Sequence, residues 1–284
     1  MTNPASEASI RQAFGDTIVE LARSNSNLYV VDIDLKPALY LDKFAARYKS
    51  RFIECGVAES NAAGVASGLA SAGKTVFLCS FSCFSPAINW AVIKQSVCYQ
   101  NLPVVIVGSH SGLLSGDLGA THQMLEDVAL MRTLPGMEVF APADAYETQK
   151  ITTVLSRSSR PSYLRLVRPA TSLVTDTKSS FTIGKSNLIS RGSDATIISY
   201  GPVLAEVLEA LKISKKQDNK ITIDVINCSS IKPLDTAAII ASVSKTKHLL
   251  VVEDHQKQGG LGEAVSSLIL SAGIRCRFSH LAVD

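Results

Sequence analysis

The chain is poor in the features that would commit it to a membrane, a metal or a nucleic acid. No stretch approaches the ~20 consecutive apolar residues of a membrane span, and the N-terminus has no apolar signal core. A soluble, cytoplasmic protein is therefore expected. The six cysteines (Cys55, Cys79, Cys83, Cys98, Cys228 and Cys276) lack the paired spacing of a zinc site. Most sit in apolar runs and read as reduced core thiols of a reducing compartment. Charged residues make up only 19% of the chain and the net charge is +3. The basic residues are scattered apart from Lys215-Lys216, which leaves no patch or arm for nucleic acid. There is no P-loop or other recognisable phosphate cradle, and the Gly-Gly-x-Gly of "HQKQGGLGEA" is weak evidence for one.

What is present is length and alternation. At 284 residues, 46% of them hydrophobic, the chain can hold two domains of ordinary size. An amphipathic helix opens it at "ASIRQAFGDTIVELARSN" (Ala8 to Asn25). Strands are predicted at "LYVVDIDL", "RFIECG", "TVFLCSF", "LPVVIVGS", "MEVFAPAD" and "SYLRLVRPA". Helices are predicted after Glu59, over Pro86 to Tyr99, from about Leu125 to Arg132, and at "AYETQKITTVLSRS". "LPVVIVGS" is apolar throughout, as a strand buried on both faces should be. The chain turns polar over 173–192, then alternates again through "ATIISYG", "VLAEVLEALKI", "ITIDVINC", "HLLVVEDH" and a last helix from near Gly262. The expected fold is α/β with two domains, 1–172 and 193–284, joined by a linker at 173–192. Each is a mostly parallel sheet with helices on both faces.

Sites in open parallel sheets gather at the C-terminal ends of strands. Asp34, Glu59, Phe81, Phe84, His110 and Arg168 fall at such ends, and the loop after His110 carries Asp117 and His122. A carboxylate, two aromatics, two histidines and an arginine at one edge suit a planar cationic ring and an anionic substrate. Each also has an ordinary structural reading. Glu59 at a helix start complements the helix dipole, an effect of ~0.3–1 kcal/mol. The phenylalanines are core candidates, the histidines structural or solvated, Asp117 a turn residue and Arg168 a surface charge. The helix after Glu59, "ESNAAGVASGLASAG", is the sharper anomaly. Gly64 and Gly68 each weaken it by ~1 kcal/mol relative to Ala, which suggests close approach of another backbone at a subunit contact.

The ordered motifs "RFIECGVAESNAAGVASGLASAGKTVF", "SFSCFSPAINWAVIKQSVCYQNLPVVIVGSHSGLLSGDLGATHQMLEDVALMRTLPGMEVFAPADAYET", "IKPLD" and "VVEDHQKQGGLGEAV" resemble the C-terminal half of a transketolase. The resemblance runs from about Val30 to Ala272 and implies the pyrimidine-binding domain followed by the C-terminal domain. It implies thiamine diphosphate as cofactor. Glu59 matches the glutamate that hydrogen-bonds N1′ of the aminopyrimidine and so promotes loss of the C2 proton of the thiazolium. Phe84 matches the residue stacked on the pyrimidine, Phe81 a wall of that pocket, and Asp34 an aspartate near the cofactor. His110 and His122 match histidines that bind the sugar hydroxyls and the reacting oxygen. Arg168 matches an arginine that binds the substrate phosphate, where a planar fork suits the anion.

The half that carries the family's Gly-Asp-Gly motif and asparagine, which hold Mg2+ (or Ca2+) and the diphosphate, has no counterpart here. No metal ligand is therefore expected in this chain. The resemblance implies one subunit of a split transketolase, active with a second chain carrying the diphosphate domain, in an α2β2 heterotetramer. The reaction implied is transfer of a two-carbon ketol unit from a ketose to an aldose. Alternatives are a deoxyxylulose-phosphate-synthase-like or 2-oxo-acid-decarboxylating subunit, and a non-catalytic assembly subunit. Three departures bear on substrate. Leu118 stands where the family has an aspartate that reads hydroxyl stereochemistry, with Asp117 beside it. "KPALYLDKF" replaces phosphate-binding Ser/Thr residues and offers Lys36 for the anion, and Ala87 stands near the place of a third pocket aromatic. They leave the donor open among modified sugars, unphosphorylated sugars and α-keto acids. The chain ends at "HLAVD", short of the family's terminal helix. A shortened C-terminal domain, remote from the chemistry, should have little catalytic effect.

Overall fold

In the computed structural model, which describes residues 6–217 and 221–284, a short strand β1 (Glu7–Ser9) runs straight into helix α1 (Ile10–Ser24). The Ser9 hydroxyl accepts the Gln12 N–H and caps the helix. Ile10, Phe14 and Ile18 recur at helical spacing and are fully buried. The first unit continues as β2 (Leu28–Asp32), α2 (Asp42–Arg47), β3 (Phe52–Glu54), α3 (Glu59–Ser71), β4 (Thr75–Phe81) and α4 (Trp90–Val92). It is completed by β5 (Val104–Ser109), α5 (Asp127–Arg132), β6 (Glu138–Phe140), α6 (Ala145–Leu155), β7 (Ser162–Arg165) and β8 (Ala170–Ser172).

The strands β6-β7-β5-β4-β2-β3 pair in parallel. Successive side chains alternate across the sheet. Val30, Phe77 and Val105 thus pack with α1, whereas Val31, Leu78 and Ile106 pack with the alanines of α3. All six residues of β5 are buried, as the continuous apolar run predicts.

The second unit comprises β9 (Asn187–Ser190), β10 (Ala195–Ser199), α7 (Val203–Lys216), β11 (Ile223–Asn227), β12 (Ser230–Lys232), α8 (Thr236–Thr246), β13 (His248–Gln256), α9 (Leu261–Ser271) and β14 (Arg277–Val283). Its sheet has the order β14-β13-β10-β11-β9, with β9 antiparallel and the rest parallel. The polar stretch 173–192 is therefore not wholly a connection, because its last residues form β9 as an edge strand. β12 leaves its own unit and pairs antiparallel with β6, so the seventh strand of the first sheet comes from the second unit. The seam is polar as well. Buried Glu147 accepts from Asn227 Nδ2 at 3.0 Å, and Asp144 accepts the N–H groups of Val174 and Thr175 at 2.8 and 2.6 Å. Among the described residues no helix is long and apolar enough to cross a membrane.

Two local departures matter to the site. The helix expected from Pro86 begins only at Trp90. Pro86 has no N–H to give and restricts Ser85 before it, so 82–89 form turns that hold Phe84 close to Phe81. The helix expected at Ala8 starts at Ile10, and β1 before it pairs antiparallel with β8.

Candidate active site

That two-stranded pairing brings together arginines 157 residues apart. With Ser9 opposite Ala170, Arg11 lies beside Arg168 and donates to its carbonyl through Nε at 2.9 Å and Nη2 at 2.6 Å. The remaining nitrogen, Nη1, donates to the Ala38 carbonyl and lies 3.5 Å from His110 Nε2. The Arg168 guanidinium forms an ion pair with Asp117. Between them opens a cleft of about 510 Å3 lined by Ser9, Arg11, Tyr40, Leu114, Asp117 and Arg168. Two guanidinium groups against one exposed carboxylate give the cleft a net positive charge that suits an anion able to displace Asp117 from Arg168. Arg11 was not foreseen, since it reads in the sequence as an ordinary charge on an amphipathic helix.

His110 is 3% exposed, with a φ of 57°. Burial, and then the positive charges of Arg11 and Arg168, push its pKa down to about 3. A guanidinium only donates, so Nε2 is the acceptor and Nδ1 carries the proton. Nδ1–H then faces Ser109 Oγ at 3.0 Å, and that hydroxyl donates to the Ser80 carbonyl at 3.2 Å. The folded protein thus presents a neutral, oriented imidazole. We expect the His110 ring signals in NMR to stay those of the neutral form from pH 8 to pH 5. An unfolded histidine takes a proton near 6.5, so His110 should lower stability as pH falls from about 6.5 towards 3. A ring titrating near pH 6.5 in the folded protein would contradict this.

Beyond His110 lies an aromatic wall. The Phe81 ring stands 3.8 Å from that of His110, and 5.8 Å from that of Phe84 at an interplanar angle of 14°. His122 meets Phe84 edge-on at 5.5 Å, and its Nδ1 lies 2.8 Å from Thr121 Oγ1. Both phenylalanines are half-buried rather than in the core.

Glu59 is the first residue of α3, and the turn that carries Phe84 is tied to it. Asn89, in that turn, donates to the Glu59 carbonyl at 3.0 Å. The Glu59 carboxylate makes no hydrogen bond or ion pair among the described residues, and Cys83, between the two phenylalanines, lies within its field. A half-exposed aromatic face with an unengaged carboxylate beside it suits a flat, nitrogen-containing ring.

The segments around Glu59 are organised by two carboxylates that sequence reasoning missed. Glu54 Oε1 accepts the N–H groups of Asp34 and Gly56, both at 2.9 Å, and so ties the turn after β2 to the one that precedes α3. Asp32 is fully buried, and its Oδ2 accepts the Leu35 N–H at 2.9 Å while Oδ1 has no hydrogen-bond partner among the described residues. Burial is the largest cause that raises Asp32 to about 7, and the charge of Glu54 adds to it. Their signal in the sequence was only an acidic residue at the end of each strand. Asp34 is exposed, with a φ of 58°. Lys36 lies 3.9 Å from Asp42 and does not line the cleft. Leu118 ends the 3-10 stretch Leu113–Leu118, one residue beyond Asp117, and Ala87 is half-buried in the turn after β4. Among the described residues no three of His, Cys, Asp and Glu are placed to share a metal.

Comparison with known proteins fits this arrangement. The transketolase pyrimidine-binding domain model matches residues 6–172, and the transketolase C-terminal domain model matches 184–283. The chain is 38% identical, over 97% of its length and 86% of the relative's, to a protein of Methanocaldococcus jannaschii designated a transketolase C-terminal section. It is 37% identical to one of the subunits of the apulose-4-phosphate transketolase of Phocaeicola vulgatus, over 90% of this chain and 81% of that one. Against human transketolase the identity is 33% over 96% of this chain, which spans only 44% of that protein. Among solved structures, a split-gene transketolase described as an inactive β4 tetramer superposes with a TM-score of 0.90 at 33% identity, covering 98% of this chain and 90% of that chain. With both domain models matched in order, the chain belongs to the transketolase family and spans its pyrimidine-binding and C-terminal domains.

Proposed function

We propose that this chain is the pyrimidine-side subunit of a two-chain transketolase that moves a two-carbon ketol unit from an anionic ketose to an aldose. The observation that carries the reading is a site built on one side only. Glu59, Phe81, Phe84, His110, His122, Arg11 and Arg168 lie at the C-terminal edge of the first sheet or in the loops and helix starts beside it, and the sequence offers no recognisable cradle for a diphosphate. Members of the family depend on thiamine diphosphate, which when bound supplies the carbon nucleophile and the electron sink. The unengaged Glu59 carboxylate and the flat Phe81–Phe84 face fit its aminopyrimidine. Glu59 would hold a proton at a ring nitrogen, and Phe84 would orient the ring. Neutral His110, with its Nε2 free of a proton, would accept from a sugar hydroxyl, and His122 would bind a second. Asp34 would serve the cofactor and Asp117, in the cleft, the sugar, whereas Lys36 lies outside the cleft. Arg11 and Arg168 would bind the far anionic end of the sugar. The relatives named for apulose-4-phosphate and 6-deoxy-6-sulfo-D-fructose both carry such an end in the sugar of their names.

The diphosphate and its Mg2+ or Ca2+ fall to a partner subunit, in an α2β2 assembly. Among the described residues, and outside its own helix backbone, a Cβ at Gly64 or Gly68 would meet no atom within 4 Å, so these two glycines serve no packing on the face of α3 opposite its buried alanines and leave that face to another subunit. Val57 and Ile88, 79% and 62% exposed, flank the turns on either side of Glu59 in sequence. The related β4 tetramer is described as inactive, which agrees with a subunit that needs a different partner. Native mass spectrometry of the tagged chain from its own host, with and without thiamine diphosphate and Mg2+, tests this. A second chain of about half a transketolase should co-purify, and the cofactor mass should appear only in the complex. Cofactor held by this chain alone would overturn the reading. A donor screen then separates ketol transfer without CO2 from a decarboxylating reaction.

A further inference from the structure

The loop that carries Asp117 and His122, and that His110 begins, is closed at its neck. Gly112 N–H donates to the Met124 carbonyl at 2.8 Å, and Ser111 bridges to Met124. The neck rests on the second domain. Gln256 N–H, at the end of β13, donates to the Leu125 carbonyl at 3.0 Å. His255, fully buried, accepts the Ala129 N–H of α5 on Nε2 at 3.2 Å. Its Nδ1 therefore carries the proton and donates to the Gln256 carbonyl at 2.7 Å. Asp254 presses on Gly112 itself. A Cβ there would overlap Asp254 Oδ2 and fall 2.7 Å from Arg165 Nη2, and the φ of Gly112 is +74°, so only glycine lets the neck lie this close.

Asp254 is held in turn by a buried ionic group. Arg165 reaches Asp254 Oδ1 at 2.8 Å and Asp127 Oδ2 at 2.9 Å, and Tyr163 donates to Asp127 Oδ2 at 2.7 Å. The three charged side chains are 1%, 4% and 0% exposed. Asp127 opens α5, two residues after Leu125. A buried ion pair is weak evidence for stability, but its fixed geometry selects one arrangement among several of similar packing. Here the arrangement it fixes is the position of the neck.

We propose that Asp254, His255 and Gln256 are positioning residues through which the second domain sets the place of the first domain's substrate loop. The end of β13, from the second domain, reaches the neck of the loop. The "VVEDHQ" stretch thus has a task beyond its own sheet. The catalytic consequence rests on the transketolase reading, whereas the structural clamp does not.

Amide hydrogen exchange over 112–124 in the full chain tests the clamp directly, with variants Asp254→Asn, His255→Phe and His255→Gln. Loss of the clamp in Asp254→Asn and His255→Phe should speed exchange in that segment at least about tenfold. His255→Gln, which keeps an acceptor for Ala129, should restore protection, and β10 and β11 should exchange as in the parent chain throughout. In the reconstituted complex, the first two variants should raise the KM for the sugar at least about tenfold, with affinity for thiamine diphosphate unchanged. Unaltered loop exchange in both would overturn the proposal. So would equal loss of sugar and cofactor binding, which marks general destabilisation. Should His255→Phe fail to fold, the near-isosteric Asp254→Asn decides alone. If the parent complex transfers no ketol unit, the functional reading falls, while the exchange arm still decides the clamp.

Discussion

Glu59→Gln in the reconstituted two-chain complex will lower turnover at least ~10²-fold, the scale of a lost general acid/base group, and leave assembly intact. The separation of effects follows from the geometry. The Glu59 carboxylate bonds to nothing among the described residues, whereas its backbone carbonyl, which any residue supplies, holds Asn89. Glutamine keeps the side-chain shape but cannot take up the role of a carboxylate opposite a ring nitrogen. The change also removes a negative charge from the first turn of α3, at a stability cost of ~0.3–1 kcal/mol, a small fraction of the total for a chain of this kind. Single-turnover ketol transfer, with native mass spectrometry as the assembly control, reads both effects. Full activity with normal assembly would return Glu59 to a helix-start residue and remove it from the chemistry.

Arg168→Ala is expected to discriminate among substrates rather than slow all of them. A hydrogen bond to a charged group contributes ~1.5–3 kcal/mol, so losing the guanidinium should raise the KM for a phosphorylated sugar by ~10- to 10²-fold. The KM for its unphosphorylated counterpart should change little, because that sugar makes no use of the anion site. Arg11 is the less clean target, since its guanidinium also holds the backbone carbonyls of Ala38 and Arg168. Equal effects of Arg168→Ala on both sugars would remove the anion role. Paired Michaelis–Menten measurements on the two sugars suffice.

Where periodicity was strong, the fold was legible. β5 reads as a buried parallel strand because "LPVVIVGS" is a continuous apolar run, and every residue of "VVIVGS" is buried. α1 reads as a helix because Ile10, Phe14 and Ile18 repeat along one face. Local signals failed where tertiary pairing decides. β1 and β12 are three residues each, too short to show alternation, and exist because β8 and β6 offer edges to them. The helix expected at Pro86 was a wrong boundary of the kind that a proline with polar neighbours creates. Glu59, Phe84, His110 and Arg168 could be named from motif resemblance because each follows a recognisable strand. Arg11 could not. Its meaning depends on β1 pairing with β8 across most of the first domain, a relation no window of sequence contains. Asp32 and Glu54 were visible only as acids at strand ends, because their roles depend on the turns they close.

The strand lent by the second domain to the first sheet has a consequence for protein engineering. A chain cut between 172 and 184, where the two family models part, would strip β12 from β6. The first fragment would then expose an open β6 edge, a template for pairing with its own copies, and the second would carry a strand with no sheet to join. Severed halves should therefore aggregate when made apart and dissolve only when made together. For this subunit the practical unit of expression, and of exchange between relatives, is the two domains as one piece.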